Sequence, residues 1–228
     1  MTLKFKTGAG QAVTLEDPAA LVHWYNGPGT DGKPNVKHGP KYYAATSPTL
    51  GASDSIGFAD LPWAVLLDGR PHGDSAEHLL TLSPVSIANI PSAVPLHAST
   101  AGQRASIGSV IQAICGWRTG CPIASKMMHP KRRELVPVLD NQAIFGAFAH
   151  RSWRKWDPPK SVSTVKTAAK VAPALELIFD AVSDEANAEC WAALEKAWPD
   201  YTRIQLFDQC WWACLRGGAV ARASGGVS

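Results

Sequence analysis

A lone carboxylate, Asp140, follows the apolar run LVPVL and precedes a second apolar stretch, about twenty residues after the glycine-containing turn WRTGCP. A turn that leads into a helix N-terminus leaves backbone N–H groups unpaired, and with the local dipole they bind phosphate well. Arg118, Thr119, Gly120 and Cys121 are therefore expected to grip a phosphate backbone. Lys126, Lys131, Arg132 and Arg133 are expected to add phosphate contacts that position a polyanion without reading sequence. Asp140 then lies close to where that backbone passes. Asn141 and Gln142 beside it either orient the acid or begin the next helix.

Charge distribution supports a polyanion partner. The chain has 22 basic and 19 acidic residues. Between Arg104 and Lys155, however, nine basic residues stand against only Glu134 and Asp140, so the remainder is net acidic. Such a concentration reads as a nucleic-acid-binding face, with a solvated basic surface as the plainer reading. Nine tryptophans supply faces that stack on bases or sugars, or simply pack. The five cysteines, at 115, 121, 190, 210 and 214, form no CxxC pair, which predicts reduced thiols, no iron–sulfur centre and no metal. No organic cofactor is expected either. The N-terminus has no apolar run of signal-peptide length and no segment is apolar enough to span a bilayer, so neither secretion nor membrane insertion is expected and the reading is cytoplasmic.

The elements that must position these residues read as mostly α, in one domain. Residues 1–100 form an N-terminal lobe of short helices and long loops, with at most a small strand contribution. Residues 101–160 hold a helix across QRASIGSVIQAI, a break from Cys115 to Gly120, a second helix opening at Pro122, a basic loop, and a helix across LDNQAIFGAFAHRSW. Residues 161–228 read as C-terminal helices, the last closed by a glycine pair. His129 reads as a helix-end residue. Asp208, on an aromatic-rich helix, reads as a buried structural aspartate, with a second active-site acid as the alternative.

The segments RTGCPIAS and VPVLD resemble the two halves of the signature of helix-hairpin-helix DNA glycosylases, a glycine hairpin between two helices followed by a P-V-D element. Arg118 stands where the first hairpin glycine falls, and VPVLD is one residue longer than P-V-D. The resemblance implies a two-lobed helical domain with the hairpin and Asp140 at the cleft, and Asp140 as the catalytic carboxylate. Pro122 falls at the position of the lysine nucleophile of strand-cutting members, with Lys126 one turn onward, so the implied enzyme is monofunctional and leaves an abasic site. Cleavage of the N-glycosidic bond develops positive charge on the deoxyribose, which a fixed carboxylate stabilises while it orients the attacking water.

The target base must leave the stack and enter a pocket, assigned to Trp24, Tyr25, Asn26 and Asn141, with Trp117 or Trp153 as outside alternatives. The chain is also similar to bacterial antiphage glycosylases that remove glucosylated 5-hydroxymethylcytosine, which implies phage DNA as the partner and antiviral defence as the role. No obligate protein partner is evident. Repair of alkylated or deaminated bases is the alternative substrate class. A helix-hairpin-helix binding module without catalysis is a further alternative, and a metal-dependent nuclease ranks last, because the basic segment holds only two carboxylates.

Overall fold

The computed structural model describes residues 1–29, 32–46, 54–67, 73–115, 119–149 and 168–216. Within them the protein is mostly helical, with two small two-stranded sheets. The first sheet, β1 (Leu3–Lys6) with β2 (Ala12–Leu15), is an antiparallel hairpin in which Leu3 faces Leu15 and Phe5 faces Val13. Strict alternation buries those four side chains and leaves Lys4 and Lys6 in solvent. Gly10 turns the hairpin at φ 75°. Gly8 donates its N–H to Phe148 O at 2.8 Å. A Cβ at Gly8 would stand 1.9 Å from Ala149 O, so the hairpin docks only with glycine there.

Helix α1 (Pro18–Asn26) starts where Asp17 accepts from Ala20 N–H and Pro18 occupies the first turn. Its buried residues Leu21, Val22 and Tyr25 pack against α9 (Arg203–Arg216), which is buried along most of its length. A reciprocal Thr202–Gln205 capping box precedes α9. Short helices α2 (Gly39–Ala45), α3 (Leu61–Leu66) and α4 (Gly73–Thr81) complete the N-terminal half, with strands β3 (Ser55–Ile56) and β4 (Val85–Ser86).

The helix pair expected after residue 100 is present. Thr100 and Gln103 cap each other at the start of α5 (Ala101–Ile114). Helix α6 (Cys121–Met128) opens from Gly120 with Pro122 in its first turn. Residues Asn141–Ala149 form a π-helix, and α7 (Ala168–Ser183) and α8 (Ala188–Ala197) lead to α9. One cluster of buried apolar side chains runs through both halves, from Leu3 to Cys214.

Buried cations bind the irregular half to the helical half. Arg132, 3% exposed, donates to the carbonyls of Ile90, Lys131 (2.8 Å) and Ile87 (3.1 Å) and to Asp54 Oδ1 (2.6 Å). Lys131 reaches Asp60 at 2.7 Å and Ser55 O at 2.6 Å. Lys126 donates to Leu67 O, and Arg133 to the carbonyls of Thr46 and Asp200. Arg104 pairs with Glu176 and donates to Ser99 O. Removing one member of such an arrangement strands the others. Arg132→Met is therefore expected to lower unfolding stability by about 3–5 kcal/mol, measured by urea denaturation.

Candidate functional site

Asp140, half-buried, sits at the start of the π-helix, and its Oδ1 accepts the Ala143 N–H at 2.8 Å. Its carbonyl receives both Ile144 N–H (3.1 Å) and Phe145 N–H (3.0 Å), the shared bond that widens the helix at its first turn. Trp211 on α9 donates its indole N–H to Ala143 O at 2.8 Å, fixing the same turn from the core side. Gly146 suits the wide turn, since a Cβ there would lie 3.1 Å from Asn141 O.

Helix α6 and the segment before the acid are linked by one side chain. Ser125, fully buried in α6, accepts the N–H of Leu139 at 3.0 Å and donates to Pro122 O at 3.0 Å. The residue before Asp140 is thereby tied to α6, about 6 Å of helix rise from its N-terminus. Cys115, at the end of α5, and Cys121, at the start of α6, face each other Sγ to Sγ at 3.2 Å, and all five cysteines are free and buried.

The expected phosphate track is not on the surface, and those assignments are corrected. Lys126 and Lys131 are 6% and 9% exposed and Arg132 less still, each engaged as described above; Arg133 is half-buried between two carbonyls. Backbone carbonyls and Asp54 and Asp60 already take up the donors that phosphates were expected to use. Thr119, Gly120 and Cys121 are buried as well. Arg118, Trp117, Trp153 and the Gln142 side chain lie outside the described residues. His129 caps the C-terminal end of α6, the helix-end position expected, and is buried there. It stacks on Tyr42, donates from Nδ1 to Val136 O at 2.6 Å and accepts at Nε2 from Gln205 at 2.9 Å, and burial pushes its pKa down to about 4. Gln205 Oε1 takes Thr202 N–H, which fixes the amide and hence this imidazole tautomer.

On the inner side of Asp140 the fold gathers a polar cluster. Asp208, 5% exposed on α9, accepts from the Tyr43 hydroxyl at 2.5 Å, while its Oδ1 has no partner. Burial lifts its pKa to about 7; the Tyr43 hydrogen bond opposes the rise, the Asp140 charge adds to it, and Lys126 opposes it. The charges of Asp208 and Asp140 also reach Tyr25, whose pKa is raised chiefly by burial. Tyr25 points at Gly39, where any Cβ would collide with its hydroxyl. Asn26 donates to Val22 O at 2.9 Å and to Gln209 Oε1 at 2.8 Å and accepts from Tyr201 at 3.0 Å. Gln209 Nε2 and Asn141 Oδ1 are buried without partners.

Of the expected pocket residues, Tyr25 and Asn26 belong to this cluster and Asn141 stands at its Asp140 end. Trp24 is half-buried against the core, and its carbonyl accepts from the Asn35 amide at 2.8 Å. Asp208 is buried and hydrogen-bonded, as the structural reading required, yet half of its carboxylate is unused. Tyr43, Tyr201 and Gln209 were not expected, although the polar pair Asp208–Gln209 inside an aromatic helix was the signal. Among the described residues no three His, Cys, Asp or Glu side chains converge as metal ligands would, and no helix is long and apolar enough to cross a membrane.

No protein family, characterised protein or solved structure matches the chain.

A carboxyl whose folded pKa is raised stabilises the fold most below its unfolded value near 3.8 and loses that contribution as pH rises through about 7. Asp208→Asn removes the buried charge and leaves an oxygen for Tyr43. The variant is expected to become more stable than the wild type as pH rises from 5 to 8, by on the order of a few kcal/mol. Thermal melts of both proteins across that range check it, since the His129 contribution is common to both.

Proposed function

We propose that the chain is a monofunctional DNA glycosylase in which Asp140 stabilises the positive charge that develops on deoxyribose as the N-glycosidic bond breaks. The observation that carries this reading is the Ser125 bond from α6 to the residue before a half-buried carboxylate. An acid held by a helix N–H on one side and by α6 on the other is preorganised, as an electrostatic catalyst must be. It also stands where the partial positive charge of a helix start favours an anion. The flipped base would enter the cluster formed by Tyr25, Asn26, Asp208 and Gln209, whose polar atoms have bonds left to give.

Asp140 orients a water that attacks the sugar's anomeric carbon, the base departs with the bonding electrons of the broken N-glycosidic bond, and the proton the water loses ends on the departing base. The chain supplies no lysine at the first turn of α6, where Pro122 stands, so the product is an abasic site rather than a cut strand. Glucosylated 5-hydroxymethylcytosine in phage DNA is the substrate proposed. The protein binds DNA as a two-lobed helical glycosylase of the hairpin type, with base repair as the alternative use of the same chemistry.

The test is incubation with genomic DNA from phages that carry glucosylated hydroxymethylcytosine and from phages with ordinary cytosine, followed by aldehyde-probe labelling of abasic sites. Wild type is expected to label the modified DNA, and Asp140→Asn to lose at least about 100-fold of that activity while still binding. Binding by both proteins without abasic sites in either DNA would leave a binding module instead.

Ser125→Ala leaves the buried Leu139 N–H unpaired. It is expected to cost about 1–3 kcal/mol of stability and to lower the turnover of abasic-site formation while substrate affinity changes little. Single-turnover kinetics alongside urea unfolding separate the two effects.

A further inference from the structure

The orientation of every amide around Asp208 follows from one backbone carbonyl. Val22 O can only accept, so the Asn26 atom that meets it at 2.9 Å is the amide nitrogen. That nitrogen also meets Gln209 at 2.8 Å, so the Gln209 atom facing it is Oε1. Gln209 Nε2 must then face the other way, and there it is buried without a partner. Its neighbour Asp208 has Oδ2 occupied by the Tyr43 hydroxyl and Oδ1 unpartnered. Both residues hang on one ring of contacts, because Tyr201 packs on Tyr43 with ring centroids 6.3 Å apart and donates to Asn26. A donor and an acceptor, each at least nine-tenths buried, are thus left on successive residues of α9.

Buried polar groups are left unsatisfied in native proteins for a reason. We propose that Asp208 and Gln209 are the base-reading pair of this site, and that they select a base whose edge carries an exocyclic amine next to an unprotonated ring nitrogen. Asp208 Oδ1 accepts from the amine and Gln209 Nε2 donates to the ring nitrogen. Cytosine and adenine share that edge, whereas uracil and hypoxanthine present a carbonyl and a ring N–H in its place. A substituent at the 5-position of cytosine leaves the edge untouched, so the proposal deepens the glycosylase reading and rests on it for the route by which a base arrives. The ease with which Asp208 titrates near neutrality agrees with a carboxylate that gains its missing partner from a ligand.

The test uses free bases and the full-length protein, so that it reads recognition and not cleavage. Cytosine, uracil, adenine and hypoxanthine are titrated at pH 7.5 by calorimetry into wild type, Asp140→Asn, Asp208→Asn and Gln209→Leu. Wild type and Asp140→Asn are expected to bind cytosine or adenine at least about tenfold more tightly than the deaminated counterpart, and the stronger of the two arms names the base. Asp208→Asn puts an N–H where the carboxylate oxygen was, and is expected to abolish the preference for the amine-bearing base without creating one for the carbonyl-bearing base, whose ring N–H still meets the Gln209 donor. Gln209→Leu is expected to weaken both members of the pair. Equal binding of amine and carbonyl bases by wild type, an unchanged preference in Asp208→Asn, or no binding of any base at millimolar concentration overturns the proposal. A base preference without abasic-site formation would sink the glycosylase reading and leave this one standing.

Discussion

Buried carbonyl groups need donors, and the N-terminal half of this chain, built from short helices and irregular connections, has many of them. Helices and two small sheets satisfy only part of the demand. Side chains from the segment between Lys126 and Arg133 reach out to satisfy others at Ser55, Leu67, Ile87 and Ile90. Arg132 is suited to this because a planar guanidinium with five N–H groups can serve several acceptors at once. A cation so placed is stable only while all its partners stay, which couples the order of the N-terminal half to the loop that follows α6.

That coupling extends to the candidate site. The loop ends in the segment that carries Asp140, and Ser125 ties the same segment to α6, so the acid inherits rigidity from both sides. The π-helix that starts at Asp140 is itself held by Trp211 from α9. Asp208 and Gln209 lie on that helix and face the same cluster, and here the fold tolerates unsatisfied polar atoms and a carboxyl with a raised pKa. Buried polar atoms without partners also occur at His78, His97, Thr119 and Arg133, and what sets this cluster apart is that two of them fall on successive residues of one helix, one a carboxyl with a raised pKa.

Much of the helical framework was legible in the sequence. The helix over QRASIGSVIQAI was expected, and Thr100 and Gln103 form a capping box at its start. Pro122 marks the start of α6, and the apolar periodicity of the C-terminal third marks α7 to α9. Tyr25 and Asn26, assigned from the sequence to a base pocket, lie in the cluster around Asp208. The basic segment was misread, because a count of charges along a chain carries no information about burial: the same Lys and Arg side chains serve a phosphate at the surface or a carbonyl inside. The π-helical start at Asp140 was also hidden, since it arises from a shared carbonyl bond and an indole contact 68 residues away. The pairing of Asp208 with Tyr43 depends on α2 and α9 meeting, 165 residues apart in sequence.

The central claim is that Asp140 faces a positive charge in the transition state. Its most direct test is the affinity for a duplex carrying a cationic pyrrolidine abasic analogue, compared with the same duplex carrying neutral tetrahydrofuran, for wild type and Asp140→Asn. The account predicts that wild type prefers the cationic duplex by about 100-fold or more and that the variant loses the preference. Equal affinity for the two duplexes in wild type, or a preference that survives in Asp140→Asn, would contradict it.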